Sequence, residues 1–214
     1  RYGGAGVLAW DHNQTRGTLG WRTEQGPHQT TLLDLLPQAE RLRKTKALEL
    51  ATGPWVALMD HDDVLHETAL YRVAREAMAH PHAAIIYTDE DKIDGAGQPW
   101  GPYFKPDFDP DLLYGQNVIS HLGCYRRDLL ERIGGFRVGF EGSQDYDLAL
   151  RAVRVAGPEA VLHVPAVLYH WRQGSDDASF SESQLQRCID AARRSIAEAL
   201  EAEGRGDKVV ENPL

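Results

Sequence analysis

Three carboxylates and one imidazole fall within four residues, Asp60-His61-Asp62-Asp63. Carboxylates so close repel one another unless a cation or strong donors compensate them. An oxygen-rich cluster suits Mn2+ or Mg2+, which usually combine one or two protein carboxylates with substrate phosphates. The competing reading is a turn whose Asp63 caps the helix that follows, and for Asp63 alone that reading is preferred. A second acidic run is Asp89-Glu90-Asp91. Gly142-Ser143-Gln144-Asp145-Tyr146-Asp147 sets Asp145 in the first turn of a helix, where the dipole favours an exposed ionised acid by about 0.3–1 kcal/mol. First-turn acids are also common without any chemical role. In Leu168-Tyr169-His170-Trp171-Arg172 a strand ends on a histidine, which either ligates a metal through one ring nitrogen or is simply hydrogen-bonded there. Trp100, Tyr103, Phe104 and Trp171 are candidate stacking platforms for a ligand, although core packing is the commoner role of any single aromatic.

Elements must position these groups. Trp55–Met59 and Ala83–Tyr87 are short apolar runs, read as strands that each end in acid. Between them His66–Ala79 has helical spacing, with Leu70, Val73, Ala77 and Met78 on one face. Gln38–Ala51 reads as a helix stopped by Gly53-Pro54. The stretch from Gly95 to Phe104, rich in Gly, Pro and aromatics, reads as a loop. Leu122–Tyr125 is a strand, and Arg127–Ile133 a short helix closed by Gly134-Gly135. Ser143 is placed as the cap of a helix running to Gly157. Val161–Tyr169 is strand-like but contains Pro165, which predicts an edge strand or two pieces. Ser181–Glu203 is an amphipathic helix, with Leu185, Cys188, Ile189, Ala192, Ile196 and Leu200 turned inward. Before Gln38 only Ala5–Trp10 reads as a strand, among many glycines. Alternating strands and helices give an α/β class, in which ligands sit beyond the carboxyl ends of the strands.

Composition bounds the rest. The 214 residues are 42% hydrophobic and 26% charged, an ordinary globular balance. Lys plus Arg total 23 against 32 Asp plus Glu, a net charge of −9, which argues against a nucleic-acid partner. No apolar run approaches the ~20 residues of a membrane-spanning helix. Two cysteines, Cys124 and Cys188, suit a reducing, cytoplasmic setting rather than a disulfide framework. The chain opens on Arg1 with no leader-like segment, so it is expected to lack a signal peptide and to be a fragment.

Taken in order, the helix Ala47-Leu48-Glu49-Leu50-Ala51-Thr52-Gly53, Asp60-x-Asp62, Tyr87-Thr88-Asp89-Glu90-Asp91-Lys92, Phe104-Lys105-Pro106, Gly134-Gly135-Phe136, Gln144-Asp145-Tyr146-Asp147-Leu148 and Tyr169-His170-Trp171-Arg172 resemble glycosyltransferase family 2. The resemblance is to its rhamnosyltransferase-like branch for O-antigen or cell-wall polysaccharide, and covers about residues 44–200. Each motif alone is weak, but the ordered set is specific. It implies a GT-A-like, Rossmann-type sheet with flanking helices, and a divalent cation (Mn2+ or Mg2+) with a nucleotide-diphospho-sugar, UDP- or dTDP-linked, at the strand ends. Carried over by position, Asp62, His170 and Asp60 hold the metal, and Asp60, Asp11 and Asp89 meet the donor. Asp145 is the catalytic base, with Asp147, Asp89 and Asp91 as the next candidates. Glu90, Asp91, Trp100, Gln144 and Trp171 lie toward the sugar and acceptor.

Chemistry alone makes this coherent. A metal neutralises a departing diphosphate, and a carboxylate takes the proton of the attacking hydroxyl, for roughly 10²–10⁴-fold. A single base opposite the leaving group implies inversion. The expected function is transfer to a glycan or lipid-linked acceptor in bacterial surface polysaccharide synthesis. The expected location is the cytoplasm at the inner face of the membrane, with peripheral membrane association and further glycosyltransferase domains as partners. The other readings are a catalytically silent sugar- or nucleotide-sugar-binding module and a metal-dependent phosphohydrolase. By domain, residues 1–37 are an atypical Gly-rich segment, 38–204 the GT-A-like domain and 205–214 a tail. The family's opening strand and its Tyr-Asn-like base-binding motif have no counterpart before Ala5, so part of the nucleotide-binding half is expected to be missing.

Overall fold

The computed structural model describes residues 6–9, 17–23, 26–32, 48, 51–60, 63–173 and 182–210. The expected helix over Gln38–Ala51 and the residues Asp11, His61 and Asp62 lie largely or wholly outside them.

Seven strands form one mixed sheet in the order β1-β4-β8-β6-β9-β5, with β7 also paired to β6. The strands are β1 (Gly6–Ala9), β4 (Trp55–Met59), β5 (Val64–Leu65), β6 (Ile85–Ile93), β7 (Pro99–Tyr103), β8 (Gly123–Arg126) and β9 (Val161–Arg172). β1 and β4 are parallel, as are β6 and β9, while β8 runs antiparallel to both β4 and β6. A separate antiparallel pair, β2 (Gly17–Thr23) and β3 (Gly26–Leu32), was not expected among the glycines of that region. Alternation sorts the central strands onto two faces. Val56, Ile85, Tyr87 and Tyr125 join one apolar cluster, and Ala57, Ile86 and Cys124 the other. Burial on both faces is why these strands read as continuous apolar runs rather than alternating ones.

The helices are α1 (Ala69–Ala79), α2 (Pro110–Gly115), α3 (Arg127–Arg132), α4 (Gln144–Ala156) and α5 (Glu182–Ala202). α1 buries Ala69 and Val73, while Leu70 and Met78, expected on its inner face, are exposed. The true seam steps by four residues from Ala69. In α5 Ala191, Ser195, Ala199 and Leu200 are buried, but Leu185 faces solvent, because the inward stripe begins further along the helix.

Three other expectations are corrected. β6 does not stop at Tyr87: it runs through Asp89-Glu90-Asp91 to Ile93, so those acids lie inside a strand. Strand continues there because β9 pairs along its whole length, and because each acid has a cationic or imidazole partner. β9 is not split by Pro165, and it lies between β6 and β5. Thr88 pairs with Val164 and Asp89 with Val167, so Pro165 sits in a bulge where its missing N–H costs no ladder bond. Finally, the Gly95–Phe104 region contains β7, paired antiparallel to β6.

Candidate functional site

Beyond the carboxyl end of β4 lies a cavity of about 270 Å3, lined in part by Asp60, Asn117, His121, Gln144, Asp145 and Trp171. Four of the expected site residues, from β4, β9 and the start of α4, thus share one space. Asp60 follows β4 directly, and its backbone N–H donates to the Tyr169 hydroxyl at 3.2 Å. That bond ties the end of β4 to the end of β9. Burial, with Asp63 and Asp60 close by, pushes the Tyr169 phenol far above its ordinary range, so it keeps its proton and donates a hydrogen bond to Asp63. Asp63 also accepts from the Arg172 backbone N–H at 2.7 Å. Asp63 therefore clamps β9 and does not cap α1, whose cap position is Thr68.

α4 carries Asp145 into the cavity on its first turn. The Asn117 side-chain amide donates to Asp145 Oδ2 at 2.9 Å. Gln144 Oε1 accepts from the Gly142 N–H at 2.7 Å, which folds the approach to the helix. Ser143 makes no side-chain cap bond; its hydroxyl donates instead to the Cys188 carbonyl of α5 at 2.8 Å. Asp147, two residues on, is buried and paired to Arg137 and Arg151, so it has no access to the cavity as an alternative base.

The acids of β6 divide by face. Asp89 is buried, accepts from the Lys105 N–H at 2.9 Å and meets His163 Nε2 at 2.8 Å. Asp91 Oδ1 lies 2.6 Å from His170 Nδ1. Neither acid lines the cavity. Glu90 forms a 2.9 Å ion pair with Lys105 and accepts from the His121 backbone N–H. Burial opposes the charge of Glu90, but His121 and Lys105 outweigh it and push its carboxyl down to about 2. Lys105 is enclosed, and burial lowers its ammonium despite Glu90. Its Nζ also donates to the Ser120 and His121 carbonyls, both at 2.7 Å, so all three of its protons are used.

His121, Asn117 and Lys105 were not singled out as site residues. Lys105 stands in the Phe104-Lys105-Pro106 motif, which was the available signal. His121 stacks on Tyr169 with ring centroids 4.8 Å apart. Its Nδ1 lies 3.6 Å from Glu90 Oε2, beyond hydrogen-bond range, yet Glu90, with Asp145 and Asp60, outweighs burial and raises its pKa.

Of the expected metal ligands, Asp62 lies outside the described residues and Asp60 lines the cavity. Among the described residues no group of three His, Cys, Asp or Glu side chains is placed to hold an ion. His170 adjoins cavity-lining Trp171 on β9, so its side chain takes the opposite face of the sheet. The Asp91 contact occupies Nδ1 and leaves Nε2, the arrangement in which a carboxylate orients a ligating imidazole. An imidazole nitrogen so oriented is a donor that Mn2+ or Mg2+ accepts, but His170 does not share the cavity with Asp60.

Residues 44–134 match the family model described as Glycosyl transferase family 2. An uncharacterized protein of Sinorhizobium fredii, y4gI, is 44% identical over 169 residues, covering 78% of this chain and 19% of that protein. The O-antigen biosynthesis protein RfbC of Myxococcus xanthus is 36% identical over 157 residues, covering 73% of this chain and 12% of that protein. This chain therefore spans a minor part of either relative. Among solved structures, S. aureus TarS 1–349 in complex with UDP-GlcNAc superposes with a TM-score of 0.53 at 19% identity, over 73% of this chain and 45% of that one. The likeness is one of fold, GT-A-like and mixed α/β. No helix among the described residues is long and apolar enough to cross a membrane.

Proposed function

We propose, from the match of residues 44–134 to the glycosyl transferase family 2 model, that this chain transfers a sugar, with inversion, from a nucleoside-diphosphate donor to a glycan or lipid-linked acceptor in surface polysaccharide synthesis. The carrying observation is the shared cavity: Asp145, on a helix N-terminus, faces the same space as Asp60 and Trp171. The O-antigen name of the Myxococcus relative and the UDP-GlcNAc held by TarS support the class of product and of donor.

In this reading Asp145 takes the proton of the acceptor hydroxyl as that oxygen attacks the anomeric carbon. Asn117 holds Oδ2 in place and leaves Oδ1 for the proton. Asp60 receives the donor's sugar or ribose hydroxyls. Trp171 offers a ring to the acceptor sugar, and Gln144 shapes the loop beneath it. Asp62 and His170 would hold Mn2+ or Mg2+, which when bound supplies charge neutralisation for the departing diphosphate. Asp91 keeps the His170 ring in the orientation that presents Nε2.

The test is calorimetric titration of UDP-GlcNAc and of a panel of UDP- and dTDP-sugars in Mn2+, followed by assay of nucleoside-diphosphate release with and without glycan acceptors. Binding that is lost in Asp62→Ala, with release that depends on acceptor, is expected. Equal Mn2+ binding by wild type and Asp62→Ala would remove the metal assignment. Release to water irrespective of acceptor would point to a hydrolase, and donor binding without any release to a silent module.

A further inference from the structure

Beside the cavity a row of three side chains crosses the sheet. Lys92 of β6 is the register partner of Trp100 on β7 and of Trp171 on β9, so all three stand on one face. The Lys92 ammonium lies 4.8 Å from the Trp100 ring centroid and 5.6 Å from that of Trp171. Trp171 lines the cavity that holds Asp145. The row therefore leads outward from the reacting centre to Trp100, which is 49% exposed on a strand whose residues are all exposed. Two indoles two strand spacings apart, about 10 Å, offer platforms for more than one sugar ring.

Among the described residues the charge between them has no carboxylate to answer it. Among the described residues none forms an ion pair with Lys92, and its acidic neighbours on β6 are committed elsewhere, Glu90 to Lys105 and Asp91 to His170. An ammonium held against two ring faces keeps donors to spare, since a cation–π contact uses none of its protons in a hydrogen bond. Apolar platforms alone would serve a neutral glycan. A cation fixed between them adds recognition of an anion.

We propose that Trp100, Lys92 and Trp171 form an acceptor track, and that the acceptor is an anionic glycan whose carboxylate or phosphate is bound by Lys92. This rests on reading the Asp145 cavity as the transfer site. The net charge of −9 does not defeat it, because exposed charges are screened beyond about 8 Å at physiological ionic strength. Local pairing at the track decides the outcome.

The test is direct binding to the full 214-residue chain, followed through the indole N–H signals of Trp100 and Trp171, assigned with Trp→Phe variants. Three probes are compared: short oligogalacturonides, their neutral methyl esters and a phosphodiester-linked glycerol oligomer. One of the two anionic probes should shift both indoles and lose affinity as salt rises. It should bind about tenfold more weakly to Lys92→Gln, with affinity largely restored in Lys92→Arg. The probe that does so identifies carboxylate or phosphate as the group recognised. Equal binding of ester and acid, no shift at Trp100, or indifference to Lys92→Gln would overturn the proposal. Because the readout is binding, a chain that selects the anion yet transfers no sugar contradicts the transfer reading alone. One that transfers without regard to acceptor charge contradicts the track alone.

Discussion

Asp145 and Asp147 share one turn of α4 and have opposite fates. Asp145 faces the cavity with a single amide donor on Oδ2. Asp147 is 1% exposed and is held by Arg137 and Arg151, which also donate to Glu198 on α5 and to the Ile133 and Gly135 carbonyls after α3. One acid is presented for chemistry, and the other staples α4 to its neighbours. Asp145→Asn keeps shape and the Asn117 contact while removing proton acceptance, so turnover should fall by about 10²-fold or more with the urea midpoint unchanged. Asp147→Asn leaves two guanidiniums around a neutral group. The 35% exposure of the Arg137 side chain lets water relieve part of that, which places the loss at about 3 kcal/mol, the low end for a broken buried pair. Urea unfolding and acceptor-dependent release, measured on both variants, separate the roles. A stable, inactive Asp147→Asn beside an unstable, active Asp145→Asn would exchange them.

At the scale of elements, α4 is aimed by its approach rather than by a side-chain cap. Gly142 has φ +93°, and a Cβ there would fall 2.4 Å from Cys188 Sγ and 3.3 Å from Cys188 Cα. The thiol can turn aside, but the backbone atom cannot, and the φ itself disfavours a side chain. Gly142→Ala should therefore cost about 1–3 kcal/mol and push the start of α4 off α5. Turnover should drop even where the protein remains folded, as a thermal melt beside a release assay would show. Full activity in a folded Gly142→Ala would mean that Asp145 is not positioned from this end. This packing was invisible in the sequence, where Gly142 is one glycine among many and Ser143 looks like a cap. Periodicity and punctuation did reveal β4, β8, α3 and α4, because their apolar runs are short and cleanly bounded. They misjudged β6 and β9, where acids and Pro165 look like terminators. Side-chain pairing and a bulge override those signals, and both depend on residues far away in the chain. For the site, Asp60, Gln144, Asp145 and Trp171 were legible because motif order marked them. His121 and Asn117 were not, since their roles arise only once the loop after α2 folds beneath the cavity.

Across the whole molecule, the cavity wall is joined to the sheet by one buried cluster of charge. Glu90 belongs to β6, Lys105 to the segment after β7, and Ser120 and His121 to the turn before β8; the ammonium of Lys105 gathers all of them. Replacing Glu90 by Gln strands that ammonium in a site where its side chain has no exposure, at a cost of about 3 kcal/mol near neutrality. The pH dependence tests whether charge is the cause. The carboxyl of Glu90 is pushed down to about 2 from an ordinary 4.5, so its stabilisation is complete above 4.5 and fades as pH falls toward 2. Gln imitates the protonated acid. The stability gap between wild type and Glu90→Gln, followed by urea unfolding from pH 7 downward, should therefore hold steady to about pH 4.5 and then shrink. A gap that stays constant into acid would assign the loss to packing instead. A gap that closes would show that the wall carrying Ser120 and His121 is held in register with β6 by that ion pair, and that Glu90 acts on the site through Lys105.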